Sequence, residues 1–306
     1  MLALFLDKTA QASSSTMSNE NKDQLFRFLF KELGVRGEIV SLDASFQAAL
    51  ALHNYPTSVA EQLGQALAAS LLLSATLKFD GSLILQIQGN GPISMLVAQA
   101  SDRQNVRGLA HWDGDVKPGN LTDLFADARL VLTLKPTMGK PYQGIVNLEG
   151  NALSDALESY FKQSEQLKTR LWFAVNGDKA VGFLLQELPA HNGEQADWER
   201  VEMLADTITS NELLELTAED IIHRLFHEES VTLYEPQAIQ FKCSCSREKI
   251  EAGLLTVGHA ELVSLLEEKG AVDTHCDFCN QHYHFDAIDI EQLFSTGKTS
   301  GPTVLH

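Results

Sequence analysis

All four cysteines of this 306-residue chain lie beyond residue 242, as two close pairs, Cys243-Ser-Cys245 and Cys276-Asp-Phe-Cys279. No other feature restricts the fold as strongly. A secreted disulfide scaffold would be small, cysteine-dense throughout and led by a signal peptide. The opening Met1–Leu6 is apolar but has no basic region before it and meets Asp7 at once, which is a poor leader. Paired thiols of a reducing compartment point instead to metal or redox chemistry and to a cytoplasmic location. Two pairs joined by a short helical insert suit a tetrahedral four-thiolate site: each pair supplies two ligands from a tight turn, and the insert folds the pairs together. One Zn2+ is the expected ion, although spacing alone leaves iron open. The insert reads as a helix after Ser246 and a second over Ala260–Lys269, stopped by Gly270. So small a module cannot be held by its core alone, and metal binding should supply much of its folding free energy. His275, His282 and His284 lie close by, but four cysteines already close the site. They are expected not to be ligands, and His191, His223 and His227 read as structural or surface groups.

The first pair carries more information than the second. Structural zinc ribbons usually have C-x-x-C at both ends. A disulfide across one residue closes a strained ring, and strained disulfides are the labile ones. Lys242, Arg247, Lys249 and the N-terminus of the following helix should favour thiolate there. Spacing alone leaves a peroxide-reactive switch and an inert structural zinc site both open.

Charge divides the chain. The total is −18; residues 1–190 carry 19 acids and 16 bases, whereas residues 191–240 carry 12 acids against Arg200 and Arg224 alone. Such acidity makes a poor phosphate-backbone binder and disfavours an anionic membrane surface, so neither nucleic acid nor membrane is an expected partner. The acidic stretch is helical in pattern: Trp198, Val201, Leu204 and Ile208 repeat at three to four residues, Ile221, Ile222, Leu225 and Phe226 form a second stripe, and Thr209-x-x-Glu212 and Thr217-x-x-Asp220 resemble capping boxes. Short helices that crowd acids together fold only when docked on a neighbour. The expected surface for them is that of the strands over residues 82–186.

Upstream, Asp23–Glu32 places Leu25, Phe26, Leu29 and Phe30 on one helical face, Val35–Leu42 reads as a strand, and Ser45–His53 and Ser58–Lys78 read as helices, the second capped by Thr57 or Ser58. Strands follow at Ser82–Gln88, Ile93–Ala100, Val106–Trp112, Leu130–Lys135 and Gly144–Leu148. A helix at Leu153–Ser164 and a hairpin of Arg170–Asn176 with Ala180–Gln186 complete the run. Val231–Tyr234 and Ala238–Phe241 read as strands on either side of Pro236. Gly89-Asn90-Gly91-Pro92 is a hairpin turn with no helix behind it, hence no phosphate loop. Segregated strands and helices give an α+β class rather than a doubly wound sheet. The expected division is an extension at 1–16, with Met17 a plausible start, an α+β core over 17–190, the acidic helical linker over 191–240, a small four-cysteine zinc domain over 241–292, and a tail over 293–306.

Cys243-Ser-Cys245-Ser246-Arg247 with Cys276-x-x-Cys279 resembles the signature of the 33 kDa chaperonin (HslO) family of redox-regulated holdase chaperones. His223-Arg224-Leu225-Phe226-His227-Glu228-Glu229, Ser164-Glu165-Gln166, Tyr142-Gln143-Gly144-Ile145-Val146, Gly89-Asn90-Gly91-Pro92 and Val35-Arg36-Gly37 are similar to it too. The likeness covers about residues 18–292; residues 1–16 have no counterpart. It implies an ATP-independent chaperone that prevents aggregation under oxidative and heat stress. The reduced zinc form would be inactive. Oxidation would release zinc and unfold the linker, exposing Trp198, Ile208, Leu213, Ile221, Leu225 and Phe226 to unfolding clients. Four cysteines allow three pairings. The resemblance implies Cys243–Cys245 with Cys276–Cys279, and near-neighbour loops also close at least entropic cost. It further implies a homodimer when oxidised, cellular thiol reductants, and ATP-dependent foldase chaperones as partners. The competing readings are a cytosolic enzyme or interaction protein with a purely structural zinc module, and a zinc-ribbon nucleic-acid binder. No nucleophile or catalytic-metal motif supports an enzyme, and the charge opposes the binder.

Overall fold

The protein is described by a computed structural model over residues 23–77, 80–148, 150–188 and 195–295. The expected extension at 1–16, Met17, His191 and the part of the expected tail beyond Ser295 lie outside the described residues. In chain order the elements are β1 (Gln24–Phe30), β2 (Val35–Leu42), α1 (Ala44–Leu50), α2 (Thr57–Thr76), β3 (Gly81–Gln88), β4 (Ile93–Ser101), β5 (Asn105–Trp112), α3 (Leu121–Phe125), β6 (Arg129–Pro136), β7 (Tyr142–Asn147) and α4 (Leu153–Tyr160). There follow β8 (Thr169–Val175), β9 (Ala180–Glu187), α5 (Gln195–Ala205), α6 (Ser210–Glu215), α7 (Ala218–Phe226), β10 (Thr232–Leu233), β11 (Gln237–Ala238), β12 (Gln240–Phe241), α8 (Arg247–Val257), α9 (His259–Lys269), β13 (Val272–His275), β14 (His282–Phe285) and α10 (Ala287–Ser295).

Two sheets enclose α2. The first has the order β10-β1-β2-β9-β8, with β11 also on β1; the second has the order β12-β5-β4-β3-β6-β7. The helix meets β2, β8 and β9 on one side and β3, β4 and β5 on the other. That accounts for the unbroken burial of residues 66–73, since a helix between two sheets needs no wet face there. Its N-cap is Pro56, whose carbonyl accepts from the Val59 and Ala60 amides, so neither Thr57 nor Ser58 caps it.

Asp23–Glu32 is not a helix: β1 occupies it, paired antiparallel with β2 from Gln24↔Ser41 to Phe30↔Val35. The first sheet is buried on both faces. Along β1, Leu25 joins the core around α2, while Phe26, Phe28 and Phe30 join a second core on the opposite face. A strand covered on both sides shows apolar residues at nearly every position, and periodicity cannot then tell it from a helix. Gly37 lies opposite Phe28, and a Cβ there would come within 2.0 Å of the Phe28 ring. Two further elements differ from the sequence pattern. The helix beginning at Leu153 ends at Tyr160 and passes into one π turn, Phe161–Glu165. The short helix α3, capped by Asn120 with Asp123, has no counterpart among the expected elements.

The second core lies beneath the acidic segment. Trp198, Leu213, Ile221, Leu225 and Phe226 are buried against Phe28, Phe30, Val35, Ile39, Phe183 and Leu185, and Ile208 is partly buried on the same cluster. The surface they cover is formed by β1, β2, β8 and β9, not by the strand run 82–186 as a whole. The second sheet turns Gln86, Gln88, Gln143 and the exposed Ile145 outward, whereas the first offers aromatic residues on its outer face. Basic groups of the body hold the segment: Arg170 reaches the carboxylates of Asp206 at 2.7 Å and Glu202 at 3.5 Å, and Lys179 Nζ donates to the Leu214 carbonyl at 3.1 Å.

Glu38 stands on the inner face of β2, opposite Arg27 and close to Arg36, with Oε2 lacking a hydrogen-bond partner. Burial, against the pull of Arg36 and Arg27, pushes its carboxyl up from 4.5 to about 8. A folded value above the unfolded one stabilises fully below pH 4.5, and that contribution is lost as pH rises towards 8. Glu38→Gln is therefore expected to flatten the decline in thermal stability over this range, and to raise stability at pH 8 by on the order of 1–2 kcal/mol. A lower melting temperature for the variant at that pH would contradict it.

Candidate metal and redox centre

The chain reaches the cysteines by crossing from one sheet to the other. β10 and β11 pair with β1, Ile239 is buried in the core around α2, and β12 then runs parallel to β5 with Phe241 opposite Val106. The Lys242 amide donates to the Val106 carbonyl at 3.0 Å, and Cys243 follows directly. Ser246 caps α8 by accepting from the Lys249 amide, which closes the first cysteine turn. The second turn joins β13 to β14: the Cys279 and Asn280 amides both donate to the Cys276 carbonyl, at 3.2 and 2.7 Å. Asn280 takes the left-handed conformation there, with φ 53°.

All four sulfurs lie within 4.8 Å of one another. Cys243 Sγ is 3.7 Å from Cys276 Sγ, and Cys245 Sγ is 3.3 Å from Cys279 Sγ. Four sulfurs about 2.3 Å from one ion at tetrahedral angles would stand about 3.8 Å apart. The donor set and spacing therefore fit a metal ion. Both of these approaches run between the pairs, and all four sulfurs are within 4.8 Å, so proximity does not select a disulfide pairing. The His275 ring lies against that of His282, tilted, with centroids 4.8 Å apart, and His282 and His284 bond Asp273 Oδ1 at 2.8 and 2.9 Å. None of the three histidines belongs to the sulfur group. His223 and His227 lie near each other at the end of α7.

The electrostatics of the four-thiol cluster are uneven. Partial burial opposes ionisation of Cys243. Hydrogen bonds from the Cys245 backbone, Arg107 and the neighbouring thiols outweigh it, and its thiol falls to about 7. Burial pushes Cys276 and Cys279 up, and the hydrogen bond to Cys245 followed by burial raises Tyr283. Of the cations expected near the first pair, Lys249 turns to the Ser244 carbonyl. Arg247 turns elsewhere, to Glu251 at 3.1 Å, Asp289 at 2.9 Å and the Phe285 ring. The contacts to sulfur come from residues not singled out in the sequence. Arg107 Nη1 donates to Cys243 at 3.3 Å, and the Tyr283 hydroxyl donates to Cys245 at 3.2 Å. Arg107 lies 136 residues away in the chain, and no local pattern marks it.

Around the cysteines the core is small. Leu262, Val272, Phe285 and Ile290 are its buried hydrophobic members among the described residues, with Gly270 ending α9 in the left-handed conformation. Helix α10 continues to Ser295, past the expected domain edge at 292. Among the described residues no helix is long and apolar enough to cross a membrane.

Comparison with known proteins gives one answer. The sequence model of the family described as Hsp33 protein matches residues 23–286. A 33 kDa chaperonin of Nitrosococcus oceani is 53% identical over 275 residues, spanning 90% of this chain and 95% of that protein. The 33 kDa chaperonin of Vibrio cholerae is 44% identical over 287 residues, or 92% and 99% of the two chains. The crystal structure of a 33 kDa chaperonin from Thermotoga maritima superposes with a TM-score of 0.78 at 26% identity, covering 90% of this chain and 98% of that one.

Proposed function

The chain belongs to the Hsp33 protein family, a family of chaperones, and from that premise we propose that it is a redox-regulated, ATP-independent holdase rather than an enzyme. One observation carries the reading. The four-sulfur centre stands at the end of a strap, β10 to β12, whose start leads back to amphipathic helices that cover an aromatic sheet face. In the reduced state Cys243, Cys245, Cys276 and Cys279 would hold one zinc ion. When bound, zinc keeps the four thiols deprotonated and cross-links the two pairs.

The proposed trigger is hydrogen peroxide. Within each pair, two thiolates reduce one peroxide, with uptake of two protons, to give one disulfide and two waters. The proposed pairing is Cys243–Cys245 with Cys276–Cys279. Disulfide formation removes the ligands that stabilise a module with little core of its own. The linker then undocks. Trp198, Ile208, Leu213, Ile221, Leu225 and Phe226 become free on one side, and Phe26, Phe28, Phe30 and Phe183 on the other. Exposed apolar surface would bind unfolding clients, while the acids of α5 to α7 keep the complex in solution. A homodimer of the oxidised form, reductant-driven recovery, transfer to ATP-dependent foldases and a cytoplasmic site complete the proposal. They are supported by the family membership.

The test is a peroxide titration of the zinc-loaded chain, with zinc release, a client-aggregation assay and peptide mapping followed together. Zinc loss in step with gained anti-aggregation activity, and disulfides within the pairs, are expected. Retained zinc with no activity would overturn the mechanism, and mainly Cys243–Cys276 or Cys245–Cys279 links would overturn the pairing.

A further inference from the structure

We propose that Arg107 is the latch that keeps the cysteine module docked on the body while its sulfurs are thiolates, and so couples their oxidation to the linker. The inference rests on the thiolate reading of the centre given above. Three contacts converge on one guanidinium. Nη1 donates to Cys243 Sγ at 3.3 Å; Nε and Nη2 both donate to Gln99 Oε1, at 2.9 and 2.7 Å; and the guanidinium lies over the Phe278 ring, 4.1 Å from its centroid. Gln99 is fixed in turn by donating to Ser82 Oγ at 3.1 Å, so the fork is held across three neighbouring strands, β5, β4 and β3. Arg107 thus touches both cysteine turns, the first through Cys243 and the second through Phe278. Alongside it, the His53 ring approaches the Asp277 carbonyl at 3.1 Å, and the Lys242 amide bonds Val106, the residue before Arg107.

The chemistry makes this contact state-dependent. Four thiolates around a divalent cation carry two net negative charges, and a guanidinium bonded to one of the sulfurs is a charge-assisted pair. A disulfide sulfur is uncharged and a weak acceptor. Oxidation of Cys243 therefore leaves Arg107 with Gln99 and the Phe278 ring, and weakens the attraction that holds the first cysteine turn to β5. The same hydrogen bond draws on the sulfur's electron density, so its loss should also make that thiolate a better nucleophile towards peroxide.

Hydrogen exchange at the Lys242 amide in the full chain tests this, together with the rate of zinc transfer to a chromogenic chelator. In the reduced, zinc-loaded protein, Arg107→Gln should speed exchange at Lys242 on the order of tenfold, as the loss of one charge-assisted hydrogen bond implies. Peroxide-driven zinc release should accelerate to a similar degree. Arg107→Lys, which keeps the charge but not the fork or the stack, should fall between the two. Oxidation of the unaltered chain should loosen Lys242, and oxidation of the Arg107→Gln chain should loosen it little further, because both remove one contact. Should Arg107→Gln fail to fold, Gln99→Leu frees the same guanidinium and carries the same expectation. An unchanged Lys242 amide in the reduced variants, or a lowered melting temperature with neither exchange nor zinc release altered, would reduce Arg107 to a structural residue. If the unaltered chain keeps its zinc under peroxide, the proposed function fails, while the reduced-state comparison still decides the latch.

Discussion

Phe226→Ser should turn the reduced, zinc-loaded chain into an active anti-aggregation protein without any oxidant. Phe226 is 2% exposed, meets Phe30 edge-to-face with centroids 4.9 Å apart, and lies 6.2 Å from Phe28. It closes the last turn of α7 over the aromatic face of β1. Removing a buried phenyl ring costs about 3–5 kcal/mol, and an unpartnered hydroxyl in its place adds to that. The segment has little margin to absorb the loss. Each large apolar side chain it buries contributes roughly 1.5–3 kcal/mol, while ordering its backbone opposes docking at roughly 1–2 kcal/mol per residue. Hydrogen exchange over α5 to α7, run beside a client-aggregation assay, should show loss of protection and gain of activity while the cysteines remain reduced. Leu225→Ser should act in the same direction. If the variant stays protected and inactive until oxidised, the segment is not the switch.

The second large effect concerns the metal. The reduced chain should bind one equivalent of zinc. Its removal should unfold the region from Cys243 to Ser295 while the two sheets around α2 persist. Structural zinc contributes about 10–16 kcal/mol to the folding of small modules at neutral pH, and the four buried hydrophobic residues of this one cannot replace it. The body has a core of its own, built on α2 between two sheets. Metal analysis and exchange-resolved stability should therefore separate the regions, and replacing all four cysteines with Ser should abolish zinc binding. Less than about half an equivalent of zinc in the reduced chain, or zinc retained by the four-serine variant, would contradict the assignment. The loss should propagate to the linker through β12, whose two residues pair with β5 directly before Cys243.

Much of this molecule is written locally. Two close cysteine pairs constrain their own turns, so they converge wherever the insert between them folds. The Thr209-x-x-Glu212 capping box forms as its spacing implies. Thr217 caps α7 through the Asp220 amide, although the Asp220 carboxylate bonds the Thr217 hydroxyl rather than its backbone. Gly270 ends α9 because a left-handed C-cap favours glycine. Such features depend on neighbours a few residues away, and a sequence carries them directly. Other features were set only when distant segments met. Asp23–Glu32 has an apolar pattern that suits a helix face or a strand buried on both sides, and partners on both sides made it β1. The linker lies on the first sheet because alternation along β1, β2 and β9 sends aromatic and aliphatic residues outward there, a surface that exists only once these strands pair. Arg107 meets Cys243 because β12 adds to the edge of β5 in one register. Short-range hydrogen bonding and backbone sterics act between neighbours and leave a mark in the sequence, whereas strand register and the choice of covering surface are settled by burial summed over the whole chain, which no single stretch of residues contains.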